Sequence, residues 1–436
     1  MTSLSRRYVL NIAWPIILSN LSTPLLGLVD TAVIGNLGNA SLLGGIALGG
    51  VIFSFLFWGF GFLRMGTTAL TAQAMGARQF AEANAVFFRA ALIGLVLGIV
   101  FIVCRGPLGN LAFQLLGGSA EVEQAARDYF AIRILGAPFN LMTLAIMGFF
   151  LGCQETRLVL YLNLLLNGLN IVLDLVFVLG MGWDVQGVAL ATVIAEISVF
   201  GIGIGFILWR YLRRQDARVS FASVFDVIRI RRMFVVNRDI MIRTLCLIFA
   251  FAWFTDQGAS QGDVTLAANA ILMQFVTFAA FFLDGFALAS ETLVGNATGA
   301  GQQSEVTLAI RYVFELGGIT ALLTSVAFYA LGGLVIDVLT NITAVQLAAR
   351  EYLIWAILAP VVSVWCYLLD GIFIGATKTV EMRNAMIISL LLFLLLWYFA
   401  MPPYGNHGLW LALHGYFLSR AATLFYYYPR IVQVAN

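Results

Sequence analysis

Two aspartates sit inside membrane-length apolar runs in the first half of the chain: Asp30 in PLLGLVDTAVIG and Asp174 in NGLNIVLDLVFVLG. An ionised carboxylate at a bilayer centre costs about 2.5–3.5 kcal/mol on insertion scales, so a chain that keeps one there uses it, most often for ion or proton coupling. Helical spacing gathers polar companions around both. Asn163, Asn167, Asn170 and Asp174 fall at relative positions 0, 4, 7 and 11, an amide stripe ending in an acid. Asn20, Thr23, Gly27 and Asp30 form a second stripe at 0, 3, 7 and 10, and Thr192 stands one turn before Glu196. In lipid such faces must turn toward protein or water. Asparagines alone also serve as interhelical glue, worth about 0.6 kcal/mol per contact, but glue does not need a titratable acid.

The second half carries stripes of its own. Gln274, Thr277, Asp284 and Glu291 share one expected span, and Ser363, Tyr367, Asp370 and Thr377 another. Asp284, Glu291 and Asp370 are secondary candidates for coupling, for cation binding or for holding the half together; spacing does not choose among these roles. A protonated carboxyl donates a hydrogen bond and an ionised one only accepts, so a proton can reorganise a helix that bends easily. The first span has Pro15 and Pro24, each removing a helical hydrogen bond, and Pro15 is the expected hinge. The two histidines, His407 and His414, fit packing or a solvated ring better than a metal pair, which would need more ligands. The four cysteines are scattered with no C-x-x-C pairing, which argues against a disulfide framework or zinc site. The GIGIG run at 201–205 lies in an apolar stretch without the strand–turn context of a dinucleotide site, and close helix packing explains its glycines. The 35 Phe, 14 Tyr, 9 Trp and 12 Met permit a cavity for lipophilic cations without diagnosing one.

Hydrophobic residues make up 61% of the 436-residue chain and charged residues 11%, with a mean hydropathy of +0.95. A soluble interior of this size cannot hide so much apolar surface, so an all-α polytopic membrane protein is expected. At about 20 apolar residues per span, twelve spans are predicted: 9–34, 45–70, 85–107, 127–151, 158–181, 187–211, 239–256, 264–292, 308–332, 350–375, 384–402 and 407–429. The apolar run after MTSLSRRYVL is long and lacks a small-x-small cleavage site, so it reads as a first span. Arginines gather in alternate loops, with Arg213, Arg214, Arg218, Arg229, Arg231, Arg232 and Arg238 between spans six and seven, which puts both termini in the cytoplasm. That basic run serves as a topology anchor and can also meet anionic lipid. AMGARQFAE at 74–82 matches ATGAGQQSE at 297–305, and GCQET at 152–156 matches GATKT at 375–379, both at an offset of 223 (297 − 74). The halves are therefore repeats: a six-helix lobe over 1–211, a basic cytoplasmic linker over 212–238 and a second six-helix lobe over 239–436. Even span numbers relate them by a pseudo-twofold axis along the membrane normal, an architecture that supports alternating access.

NIAWPIILSNLSTPLLGLVDTAVIGNLG at the start, LDGFALASETLVGNATGAG in span eight and LLDGIFIGATKT in span ten together resemble the multidrug and toxic compound extrusion (MATE) family, its DinF branch most closely. The resemblance covers essentially the whole chain. It implies a multi-pass secondary antiporter of the bacterial inner membrane that exports amphiphilic organic cations against protons, or sodium in some members. By motif, Asp30, Asn170, Asp174 and Thr192 match the family's cation-site positions, and Pro15 matches the proline where the first helix bends. Other branches place a key acid in the seventh helix, where this chain offers Asp256 at the outer end. No cofactor beyond the coupling ion and no nucleic-acid partner is implied; membrane lipids surround a chain that, with both lobes, suffices as a monomer. The alternatives are sodium-coupled drug antiport at the same four residues and a lipid-linked substrate flippase of the same superfold. The flippase would show span-internal arginines, whereas Arg64, Arg133, Arg243 and Arg311 are expected near span ends. A membrane-embedded enzyme lacks any metal cluster or Ser-His arrangement in the sequence.

Overall fold

The computed structural model describes the backbone of residues 4–35, 40–116, 118–211 and 218–432; the side chains of Thr23, 25–35, Ala40 and Val432 lie outside the described residues. In lipid each span must close its own backbone hydrogen bonds, and the described chain is helical throughout. Two compact units emerge. The amino-terminal unit, Leu18–Asn237, takes the second part of α1 (Arg6–Gly35) and then α2 (Ala40–Trp58), α3 (Phe62–Gly76), α4 (Phe80–Val103), α5 (Arg105–Leu115) and α6 (Ala120–Arg133). It continues through α7 (Ala137–Gly152), α8 (Thr156–Asp174), α9 (Asp184–Arg210), the short α10 (Phe221–Val224) and the start of α11 (Val227–Ala259). The carboxy-terminal unit, Met1–Ile17 with Arg238–Asn436, holds the beginning of α1, the rest of α11, and α12 (Asp263–Gly299), α13 (Gln303–Leu339), α14 (Thr343–Gly375), α15 (Thr379–Tyr427) and α16 (Pro429–Val432).

These units divide the chain differently from the expected 1–211, 212–238 and 239–436. The first residues join the carboxy-terminal unit because Arg6 pairs with Glu315 at 2.9 Å and Ile17 packs over Gly285 on α12. The described part of the basic linker, up to Asn237, is built into the amino-terminal unit, where it forms α10 and opens α11.

Nine helices among the described residues are long and apolar enough to cross a membrane. One of them, α15, is two spans: after Pro402 and Pro403 the chain reverses at Gly405 (φ 54°, ψ −131°), a conformation that favours glycine. α1 and α11 occupy the first and seventh expected spans, so each of the twelve predicted crossings has a helix. Two spans are internally broken. The second is α2 and α3, joined by a turn at 59–61 in which Gly61 N–H donates to Trp58 O at 3.1 Å. The fourth is α6 and α7, joined by a 3-10 turn at Ile134–Gly136.

The duplication reaches the backbone. Arg78, Gln154 and Gly182 adopt positive φ, and so do Gly301, Thr377 and Gly405, each 223 positions later (301 − 78). Packing repeats with the same offset. A Cβ at Gly148 of α7 would strike the carbonyl oxygen of Arg64 on α3, and one at Gly371 of α14 would strike that of Ala287 on α12. A Cβ at Gly152 would lie 2.8 Å from Thr68 O, and Gly375 touches Glu291 O in the same manner. Each half thus has a helix pair whose backbones meet through small residues, the usual way to pack helices in lipid.

Gly148→Ala and Gly371→Ala are therefore expected to cost about 1–3 kcal/mol each, because a methyl group has no room at either seam. Arg78→Gly should be tolerated or slightly stabilising, since a non-glycine residue in left-handed geometry costs roughly 1–2 kcal/mol. Thermal unfolding of the purified protein in detergent checks both; equal behaviour of the three variants would contradict the packing described.

Candidate functional site

The amide stripe on α8 is buried and reaches two neighbouring helices. Asn163 donates to Ser19 Oγ on α1. One turn later Asn167 donates to Ser22 Oγ at 2.9 Å, and Ser22 in turn donates to Ser19 O at 2.7 Å. Asn170 faces α9. Its amide is satisfied on both sides when its NH2 donates to Asp174 Oδ2 at 2.9 Å and its carbonyl accepts from Thr192 Oγ1 at 3.0 Å and Thr192 N at 3.1 Å. Asp174 is completely buried and Asn170 nearly so. The α-helix ends at Asp174 and continues as a π-helical turn, Leu175–Gly180, in which Met181 N donates to Val176 O at 3.0 Å. Such wide turns recur at functional positions because they re-aim side chains within a helix.

The structure therefore brings Asn170, Asp174 and Thr192 together as one hydrogen-bonded group. Asp30 falls in the part of α1 whose side chains lie outside the described residues. Pro15 is buried on α1, two residues before the point where that helix passes from one unit to the other.

Glu196, in the same sequence stripe as Thr192, has a different environment. Arg133 clasps it with Nη1–Oε2 at 2.9 Å and Nη2–Oε1 at 2.6 Å, and Asn140 donates to Oε1 at 2.7 Å. The guanidinium also lies over the rings of Phe53 and Phe57, 5.2 and 5.4 Å from their centroids. A bidentate pair of this kind satisfies both charges and fixes geometry.

In the carboxy-terminal unit the buried Asp370 receives Arg243 Nη1 at 3.0 Å and Arg420 Nη2 at 2.6 Å on one oxygen, Oδ2. Arg420 also lies over Tyr416 and Tyr367. This ion triad spans α11, α14 and α15. Glu291 is buried, Asp284 is half-buried, and Gln274 and Thr277 are exposed, so the span-eight stripe does not keep to one buried face. The seventh span also has an acid that sequence reasoning passed over. Asp239 is wholly buried and held by Arg383 at 2.9 Å, Arg238 at 3.0 Å and Thr379 at 3.3 Å.

Arg133 and Arg243, expected near span ends, are buried ion-pair partners, and Arg420 had gone unremarked although it stands alone in an apolar run. Its solitary charge was the available signal. His414 hydrogen-bonds the carbonyls of Trp410 and Trp355, each at 3.0 Å, and His407 accepts from Trp355 Nε1 at 3.0 Å, so both rings serve packing.

The MatE family model matches the chain over 15–176 and again over 240–399, once in each half. DNA damage-inducible protein F of Escherichia coli is 43% identical over 414 residues, which is 95% of this chain and 90% of that protein. A transporter of the MOP superfamily from Pyrococcus furiosus superposes with a TM-score of 0.87 at 17% identity, covering 99% of this chain and 97% of that one. The Vibrio cholerae MATE transporter VcmN in its bent form gives 0.86 at 20% identity, covering 99% and 98%. Duplicated six-helix halves, buried membrane-embedded acids and a two-copy family match converge: this chain belongs to the MATE family of multi-pass membrane transporters.

Proposed function

We propose that the chain is a proton-coupled exporter of amphiphilic organic cations, with Asp174 and Asp30 carrying the proton. The observation that supports this reading is the environment of Asp174. Glu196, Asp370 and Asp239 are each clasped by guanidinium groups, whereas Asp174 Oδ2 is met by the neutral amide of Asn170. A neutral partner lets a carboxyl change charge without stranding a buried cation.

The local chemistry then suggests a switch. The ionised carboxylate accepts the Asn170 NH2. Once protonated, the carboxyl becomes a donor and is best served by the Asn170 carbonyl, so the amide turns over and its NH2 donates to Thr192 Oγ1, which in turn donates to Val188 O. Asn170 lies one turn beyond Asn167, whose bond to Ser22 ties α8 to α1, so rearrangement on α8 can be felt along α1. Asp30 lies two turns beyond Ser22, as Asp174 lies two turns beyond Asn167, and a continued register would bring the acids to the same level. Pro15, which leaves the carbonyl of Asn11 without a helical donor, supplies the hinge about which α1 bends. Sodium would need several oxygen ligands, for which Asn170 and Thr192 stand beside Asp174, whereas a proton needs only the acid. A Thermotoga maritima relative named as a probable multidrug resistance protein supports drug-like cargo. The arginines expected of a cationic flippase cavity instead meet carboxylates, which favours the drug exporter. The arginine distribution supports a cytoplasmic location of both termini, and the Escherichia coli relative supports a bacterial cytoplasmic membrane.

In liposomes with an imposed pH gradient and no sodium, the purified protein should move a fluorescent organic cation, and collapse of the gradient should stop it. Asp30→Asn and Asp174→Asn should each fall to the rate of protein-free liposomes while unfolding near the wild-type temperature. Normal gradient-driven transport by Asp30→Asn sinks the assignment; transport driven equally by a sodium gradient at symmetrical pH transfers it to sodium.

Asp370→Asn should behave in the opposite way. It leaves two buried guanidinium groups without their counter-charge and should cost about 3–5 kcal/mol of stability. A variant as stable as wild type but unable to transport would instead make Asp370 a coupling residue.

A further inference from the structure

The amino-terminal unit has an apolar groove of about 380 Å³, lined by Phe88, Leu92 and Leu95 of α4, Phe200 and Ile204 of α9, and Phe225 just after α10. Arg89 fixes α10 over it. The guanidinium is buried, donating to Ser223 O at 2.5 Å and Val224 O at 3.0 Å, and it pairs with Glu82 at 2.8 Å. Ser220 caps the start of the helix by accepting from Ser223 N at 3.1 Å. Asp226 caps the start of α11, accepting from Ile228 N at 2.9 Å and Arg229 N at 3.2 Å. The segment is thus firmly built. Even so, it leaves four large apolar side chains uncovered: Phe221, Phe225, Val227 and Ile228 are 46–81% exposed.

Charge surrounds this apolar patch. Arg218 precedes α10, and Arg229, Arg231 and Arg232 follow it. Glu82 and Asp226 meet Arg89 and Arg229, and Arg232 bonds Gln73 at 3.0 Å, while Arg218 and Arg231 are exposed. Among the described residues arginines outnumber carboxylates here. A short amphipathic segment with aromatic residues beside arginines lies in the membrane interface, its rings among acyl chains and its cations at the headgroups.

We propose that this groove is a binding site for an anionic phospholipid. One acyl chain lies between α4, α9 and α10, and the phosphate is held by the arginines around α10, chiefly Arg218 and Arg231. Charge complementarity selects the headgroup. A zwitterionic lipid would fill the groove equally well but gain little from the arginines, each worth about a fivefold increase in affinity for an anionic surface. A topology anchor alone needs the same arginines but no groove, and it does not discriminate between bound headgroups.

The test is native mass spectrometry of the full-length protein released from micelles containing equimolar dioleoyl phosphatidylglycerol and dioleoyl phosphatidylcholine. Wild type should retain phosphatidylglycerol in preference. Arg218→Ala with Arg231→Ala should lower that preference by about fivefold per arginine. Ala91→Trp, which fills the groove, should lose both lipids. Phe221→Ser with Phe225→Ser, at exposed positions that leave the core intact, should lose most of the retention as well, so the proposal stays testable if Ala91→Trp fails to fold. Equal retention of the two lipids by wild type would overturn it, as would unchanged retention in the folded groove variants. Displacement of the bound lipid by ethidium at equal concentration would also overturn it, by making the groove part of the cargo route.

Discussion

A charge carried into the apolar interior must find its compensation there, and this requirement organises both units. Water is not available to solvate it, and an unpaired ion would cost several kcal/mol. Arg133 and Glu196 answer one another, Asp370 draws in Arg243 and Arg420, and Asp239 gathers Arg383 and Arg238. Each set joins helices far apart in sequence, so the ion pairs also act as ties that select one packing arrangement. Asp174 in turn is met at Oδ2 by the amide of Asn170, a group that can either donate or accept.

Duplication supplied the scaffold, and divergence supplied the chemistry. Positive-φ turns and glycine seams coincide at an offset of 223 positions, but the buried polar sets do not. The counterparts of Asn170 and Asp174 are Phe393 and Trp397, and that of Asp370 is Met147; in the last span of each half the offset falls to 221 (408 − 187), so Thr192 corresponds to Leu413 and Arg420 to Val199. Turn geometry and helix contact resist change because every neighbouring backbone depends on them. A buried polar group can be replaced by packing, or gained, provided its whole set changes together. One half has consequently become the site of an amide-linked acid and the other the site of a locked ion triad.

Much of this was legible in the chain. Apolar runs located all twelve crossings, and the four-residue break at 403–406 correctly separated the last two. The stripe on α8 foretold that Asn170 and Asp174 would share a face, because helical spacing is a local property. The interruptions of spans two and four were hidden, since Gly59 and Gly61 scarcely lower the hydropathy of an aromatic-rich window. Ion-pair partners were hidden for a different reason: Asp370 and Arg420 lie 50 positions apart and on different helices, and only tertiary packing brings them together. The division at Ile17 was equally invisible, because no compositional change marks the residue where a continuous helix exchanges one set of neighbours for another.

That exchange has a consequence for how the molecule is made. The opening turns of α1 leave the ribosome well before their partners: Arg6 meets Glu315 across 309 positions of sequence, and Leu10, Trp14 and Ile17 line a groove with Phe278, Phe282 and Phe328. A contact so distant in sequence closes late. During synthesis the start of α1 must remain in lipid with its polar and aromatic side chains uncommitted while eight further spans are inserted. Assembly of the carboxy-terminal unit is therefore post-translational in character even if every helix enters the membrane in order, and the start of α1 is among the last segments to reach its final neighbours.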